Sequence, residues 1–128
     1  MKTIFLSIIC SFFCYVSFGQ IYVGHVDITR LDSLRVIEVV IDRRGSGKTI
    51  DVFVDYGQKD NTNSLGMITR SDNVMMKDPR TQEKVIFKST AAAINFFEQN
   101  GWMHYNTIMD RSISDVGYYY FRKSAVHN

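Results

Sequence analysis

Hydrophobic and polar side chains alternate with the two-residue period of a β-strand in several segments of the chain. The densest run of β-branched residues covers 35–42, and the same alternation returns over 49–56. Gly45-Ser46-Gly47 lies between them and offers residues that adopt positive φ, so the two segments are predicted to form a hairpin. An earlier alternating segment, 21–29, is predicted to be one further strand.

The middle of the chain carries a second hairpin signal. Residues 74–76 and 85–87 are apolar, and they flank the turn sequence Asp78-Pro79-Arg80-Thr81. These two segments are therefore predicted to pair. The preceding stretch 57–64 is polar and rich in turn formers, and 65–69 is either a short strand or a tether.

A helix is predicted over about 90–99. Ser89 supplies an N-cap oxygen before this segment, and Asn100-Gly101 is a typical left-handed stop after it. The apolar positions of the segment recur at helical spacing, as expected of a helix that buries one stripe. The predicted buried residues are Ala93, Ile94 and Phe97.

Two strands, 102–109 and 118–123, are predicted after the helix. The sum is an α+β domain, a mainly antiparallel sheet of about 5–7 strands with the helix packed on one face, in two layers.

The first nineteen residues have the organisation of a signal peptide. Lys2 provides the positive charge, an uncharged apolar run follows over 4–18, and the small residues Ser17 and Gly19 precede a predicted cut before Gln20. At about 15 residues, the run is short of the roughly 20 that a spanning helix needs. An N-terminal anchor or a buried helix are the alternatives. We expect a periplasmic or secreted protein without a stable membrane anchor, made of a signal peptide (1–19) and one domain (20–128).

Cleavage would remove both cysteines, Cys10 and Cys14, and leave 109 residues without a thiol. Neither cysteine follows a small residue, as a lipoprotein signal would require. The domain is then expected to be stabilised by an ordinary core and not by disulfides. The net charge is +2 for the whole chain and about +1 without Lys2, which argues against nucleic acid as a partner.

The sequence does not match the common catalytic and metal-binding motifs. The segment 45–49 resembles the end of a phosphate-binding loop, but it lacks the earlier glycine and precedes a predicted strand, so a hairpin turn is the better interpretation. His25, His104 and His127 have no metal-ligand spacing and are expected at surfaces or edges. No metal or other cofactor is expected.

Carboxylates are the remaining candidates for chemistry. Asp51 and Asp55 alternate on one predicted strand face, and Asp42 and Glu38 are on the neighbouring strand. A hydrolase would need these carboxylates to converge in a cleft. A solvated sheet face with cross-strand pairing to Arg35, Arg43 or Lys48 produces the same pattern.

Aromatic side chains are concentrated near the C-terminus. Tyr119 and Phe121 should share one face of the last strand, and Tyr118, Tyr120 and Arg122 the other, so one set must leave the core. Exposed tyrosines suit contact with a sugar or a protein. Equally, tyrosines pack well across strands for structural reasons. The candidate binding residues are Tyr118, Tyr120 and Trp102.

The segment 87–102, which ends in Asn100-Gly101-Trp102, together with the aromatic run 118–123, resembles a group of small exported bacterial proteins of unknown function. These share a helix, a Gly-Trp dipeptide, a strand and a closing aromatic strand. An upstream Asp55-Tyr56-Gly57-Gln58 also matches exported members, whereas Met103 stands where many have Glu. The resemblance implies a small α+β domain, a packing role for Trp102 and no known activity.

The sequence therefore predicts a non-enzymatic, exported binding or interaction module, whose partner is an unknown protein or glycan in the envelope or outside the cell. An envelope inhibitor or immunity-type protein is one alternative. A hydrolase that uses Asp42, Asp51 and Asp55 is the other.

Overall fold

The computed structural model describes residues 19–44, 47–58, 72–112 and 115–125. Several predicted features lie outside these ranges: residues 1–18 of the predicted signal peptide, the first two residues of the Gly-Ser-Gly turn, the possible strand 65–69 and His127. Within them the fold is α+β, with one α-helix, a four-stranded sheet and a three-stranded sheet, all antiparallel.

The larger sheet contains β3 (Val36–Asp42), β4 (Asp51–Asp55), β6 (Trp102–Met109) and β7 (Val116–Lys123), in the spatial order β4-β3-β7-β6. Its first two strands are the predicted hairpin, which the structure confirms. Gly47 has a φ of +75° at the end of the turn, where a side chain would be strained. The last strand begins two residues before the predicted start.

The smaller sheet contains β1 (Tyr22–Val23), β2 (Val26–Asp27) and β5 (Met76–Lys77), in the order β2-β1-β5. The prediction of a single strand over 21–29 is wrong, because the chain reverses at Gly24. This glycine has a φ of +60°, and a β-carbon on it would lie 3.1 Å from the backbone of Asn73. A short 3₁₀ helix, Ile28–Arg30, then replaces the last part of the predicted strand.

The second predicted hairpin is shorter than predicted, with pairing only close to its turn. The turn at Asp78 is present, and Val85 donates a backbone hydrogen bond of 2.9 Å to Met76. Phe87, at the far end, bridges to Ile50 beside β4. Met75 also bridges to Phe53 of β4, so this segment covers the outer edge of β4 and links the two sheets.

The helix α1 (Thr90–Gln99) has the predicted bounds. The Ser89 hydroxyl accepts a hydrogen bond of 3.1 Å from the amide of Ala92, and Gly101 leaves the helix at a φ of +85°. Ala93 and Phe97 are fully buried, as predicted, whereas Ile94 is only half-buried against the core. The helix packs chiefly against β6.

The main core lies on the face of the larger sheet that α1 covers, which we call the inner face. Phe97 stacks at 5.0 Å on Phe121 of β7, and the buried residues of β1 and β5 join the same core. On the opposite, outer face, a smaller cluster at the β4 end is closed by the 74–75 segment. Its buried members are Val40, Phe53, Val74 and Val116.

Candidate functional site

The outer face carries a set of apolar and aromatic side chains along β6 and β7 and at the start of β3, which we call the tyrosine face. Strand register puts all of them but Tyr105 on this side of the sheet, opposite α1. Tyr105 lies in an irregular part of β6, and its ring contacts that of Tyr120 on the same side. Met103, Tyr105 and Ile108 are 41%, 49% and 51% exposed. The members of the tyrosine face are Val36, Met103, Tyr105, Ile108, Tyr118 and Tyr120.

Tyr118 and Tyr120 lie in the middle of this face and are both half-buried. Tyr119 and Phe121 point to the inner face and pack on the main core, so the predicted division of the aromatic strand into two faces is confirmed. Tyr118 also packs against the small cluster on the outer face. Burial raises the pKa of its hydroxyl, with Asp110 and Glu38 adding to the effect.

Tyr120 is held by its cross-strand neighbour. Glu38 is directly opposite it on β3 and accepts a hydrogen bond from its hydroxyl, which, with burial, raises the pKa of Tyr120 to about 12. On the other side, the ring of Tyr105 lies 6.4 Å from that of Tyr120. The two rings therefore present a joined aromatic surface with a carboxylate at its border.

Trp102, the third residue predicted to bind, is elsewhere. It is 1% exposed in the main core, and the Lys123 ammonium lies 6.0 Å from its ring centroid while approaching the carbonyl oxygens of Thr29 and Leu31. Trp102 therefore packs behind the helix end and does not reach the tyrosine face.

A β-bulge in β6 determines which of its side chains reach the tyrosine face. The pairing with β7 shifts between His104 and Asn106, so that Met103 before the bulge and Ile108 after it are both on the outer face. In a regular strand these two residues would be on opposite faces. Four members were not among the predicted binding residues, and a strict alternation rule would have misplaced Ile108. They are Val36, Met103, Tyr105 and Ile108.

The carboxylates of the hydrolase alternative are on the same outer face, at the β4 side. Asp42 is directly opposite Asp51, while Asp55, four residues further along β4, is about 13 Å away. Asp42 accepts hydrogen bonds of 2.9 and 2.7 Å from the Arg44 guanidinium, and Asp51 is ion-paired with Lys84. Two of the three carboxylates thus each have their own cation.

The two described histidines, His25 and His104, lie in different parts of the fold. His25 is exposed at the turn between β1 and β2, and His104 is on the edge strand β6, where its Nε2 lies 2.7 Å from the Thr107 hydroxyl. Among the described residues, no group of three or more histidine, cysteine or acidic side chains is arranged to hold a metal ion.

A cavity of roughly 380 Å³ opens at the start of α1, next to the Gly-Ser-Gly turn. Arg43 and Lys88 line it together with Thr49 and Ser89. The helix has no acidic residue in its first turn, so its positive end and these two cations favour an anion. The strand β4, and not a helix, follows Lys48, as expected for a hairpin turn.

Among the residues described, no helix has the length and apolar character needed to cross a lipid bilayer. No protein-family model, no curated protein and no solved structure matches the chain.

Proposed function

We propose that this chain is an exported, non-enzymatic binding module that contacts a protein partner through the tyrosine face. The observation that carries the proposal is the cluster of three large apolar side chains, Met103, Tyr105 and Ile108, each exposed by 41% or more on one side of the sheet. Contiguous apolar patches on small domains commonly mark interaction sites.

The composition of the face favours a protein over a glycan. Tyrosine and methionine are enriched in protein interfaces and lysine is depleted from their centres. The face contains both enriched types and no lysine. Of its charged neighbours, Glu38 borders it on β3, and Arg122 lies between Val36 and Met103 at one end of it.

The two central tyrosines are suited to act as anchors. Tyr118 and Tyr120 are half-buried by packing within the sheet, and Tyr120 is oriented by Glu38. A side chain that is already ordered loses little conformational entropy on binding. The ion pairs of Asp42 and Asp51 further support a binding role over hydrolysis, since both carboxylates are neutralised by neighbouring cations.

The test uses the purified chain as bait against the envelope fraction and culture supernatant of the cells that make it, with chemical crosslinking and mass spectrometry. Y105A, Y118A and Y120A should each reduce capture of the specific partner about tenfold or more, because central interface tyrosines are frequent hot spots. Circular dichroism would verify that each variant is folded.

I86A is the matched control. Ile86 is 64% exposed but lies outside the tyrosine face, so its truncation removes apolar surface without touching the proposed contact. We expect I86A to capture the partner as the unmodified chain does. Equal capture by I86A and the folded tyrosine variants, or no specific partner from either fraction, would overturn the proposal.

A further inference from the structure

The outer edge of β6 is open from Met103 onward, whereas Trp102 at its start is buried. At the opposite edge of the sheet, β4 is covered by the segment around Val74 and Met75, whereas within the described ranges no strand pairs with β6 beyond β7. β6 is eight residues long and contains no Lys, Arg, Asp, Glu or Pro, the residues that commonly protect such an edge.

The positions whose backbone groups point outward follow from the pairing with β7. Asp110 donates a backbone hydrogen bond to Val116 at one end, and Ser124 donates one to Gly101 at the other. Because hydrogen-bonded and non-hydrogen-bonded pairs alternate in an antiparallel ladder, and the bulge adds one residue, the amides directed away from β7 belong to four residues. They are Trp102, His104, Thr107 and Met109.

We propose that this edge pairs antiparallel with β6 of a second copy of the chain, about a two-fold axis between Tyr105 and Asn106. In this register, His104 is opposite Thr107 of the other copy, and Trp102 is opposite Met109. The outward positions His104 and Thr107 therefore meet each other twice about the axis, and the two sheets become one continuous sheet. Trp102 is itself buried, so the pairing is centred on residues 104–107.

The bulge is the reason for choosing a second copy over a foreign strand. A regular strand would lose register with β6 where the extra residue lies, between His104 and Asn106. A second copy carries the same extra residue at the symmetric place. The side chains also match, because Met103 would be opposite Ile108 of the other copy on the outer face, and no charged residue of β6 would oppose another.

The dimer would place two tyrosine faces on the same side of one sheet. This consequence rests on the proposed function, whereas the dimer itself does not. A monomeric chain that still captures its partner would overturn the dimer alone. A dimer whose tyrosine variants keep full capture would overturn the binding proposal alone.

Sedimentation equilibrium of the purified chain should give twice the mass of one chain in the micromolar range. T107P removes an outward amide that β7 does not use, so it should shift the protein to monomer, while T107V, which keeps the amide, should remain dimeric. A monomeric unmodified chain, or a folded T107P variant that stays dimeric, would overturn the proposal.

Disulfide trapping provides a second test that does not depend on T107P being folded. In a chain with Cys10 and Cys14 replaced by serine, M103C/I108C should form a covalent dimer on oxidation, because non-hydrogen-bonded cross-strand pairs are within disulfide reach. M103C alone should not, since its two copies would be roughly 15 Å apart. Failure of M103C/I108C to crosslink more than M103C would count against the two-fold register.

Discussion

Glu38 of β3 and Tyr120 of β7 face each other across the two central strands of the larger sheet. Their hydrogen bond connects Tyr120, in the middle of the tyrosine face, to the carboxylate at its border. The carboxylate favours the protonated phenol, because an ionised Tyr120 would place two negative charges in contact. The folded chain therefore holds this proton more tightly than an unfolded chain does. The associated stability is complete below about pH 10 and is lost as the pH rises toward 12.

E38Q should lower the pKa of Tyr120 from about 12 toward the ordinary value of a tyrosine, because the charge is removed while an acceptor remains. Ultraviolet titration of tyrosinate, with Y120F identifying the contribution of Tyr120, measures this. E83Q neutralises an exposed carboxylate elsewhere and should leave the titration unchanged. An unaltered Tyr120 midpoint in E38Q would refute this account of the pair.

G117A should destabilise the fold by about 1–3 kcal/mol through overpacking. A β-carbon on Gly117 would lie 2.7 Å from Cε2 of Tyr119 and 3.0 Å from Sδ of Met109. A double-mutant cycle with Y119A, measured by urea denaturation, tests whether the Tyr119 ring causes this loss of stability. The unfolding free energy that G117A removes should be smaller in the Y119A background, because the ring is gone. An equal cost in both backgrounds would show that the ring is not responsible.

R44A should lower the urea denaturation midpoint more than R43A does. Arg44 donates two side-chain hydrogen bonds to the buried carboxylate of Asp42, and R44A removes this paired cation while the backbone amide at position 44 still donates to the carboxylate. Arg43 lies 3.9 Å from Asp115 in an exposed pair of the kind that contributes little. Similar midpoints for the two variants would contradict this distinction.

F97A should cost about 3–5 kcal/mol of unfolding free energy. Phe97 is fully buried between Phe96 and Phe121, with ring centroids 5.7 and 5.0 Å away, so its removal leaves a cavity between α1 and the sheet. N95A, an exposed substitution on the same helix, serves as the control. If F97A and N95A had the same midpoint in thermal or urea denaturation, α1 would not be anchored by the Phe97 side chain.

Local patterns predicted the elements whose signals are contained in a few residues. α1 and β6 have their predicted bounds, since Ser89, Asn100 and Gly101 mark a helix start and stop by backbone chemistry alone. The segment 21–29 failed because a period of two describes one long strand and a tight hairpin equally well. The chain reverses at Gly24, whose φ is +60° and where Asn73, far away in sequence, leaves little room for a β-carbon.

The candidate site was predicted in the same partial way. Alternation correctly separated Tyr118 and Tyr120 from Tyr119 and Phe121, because β7 is regular. It could not locate Ile108 on the same face, since the bulge in β6 is expressed only when that strand pairs with its neighbour. Trp102 was predicted to bind a partner but is buried in the core. The sequence around an aromatic residue at a strand end does not indicate whether a helix will cover it.

The strand order β4-β3-β7-β6 has a consequence for how the chain is made. Among the described elements β7 comes latest along the chain, yet β3 and β6 both pair with it and not with each other. Until Val116 to Lys123 has been synthesised, the β3–β4 hairpin and the α1–β6 unit have no common strand to join them. The four-stranded sheet can therefore close only once β7 has been made. An unfolded chain remains available until that point for the export proposed above.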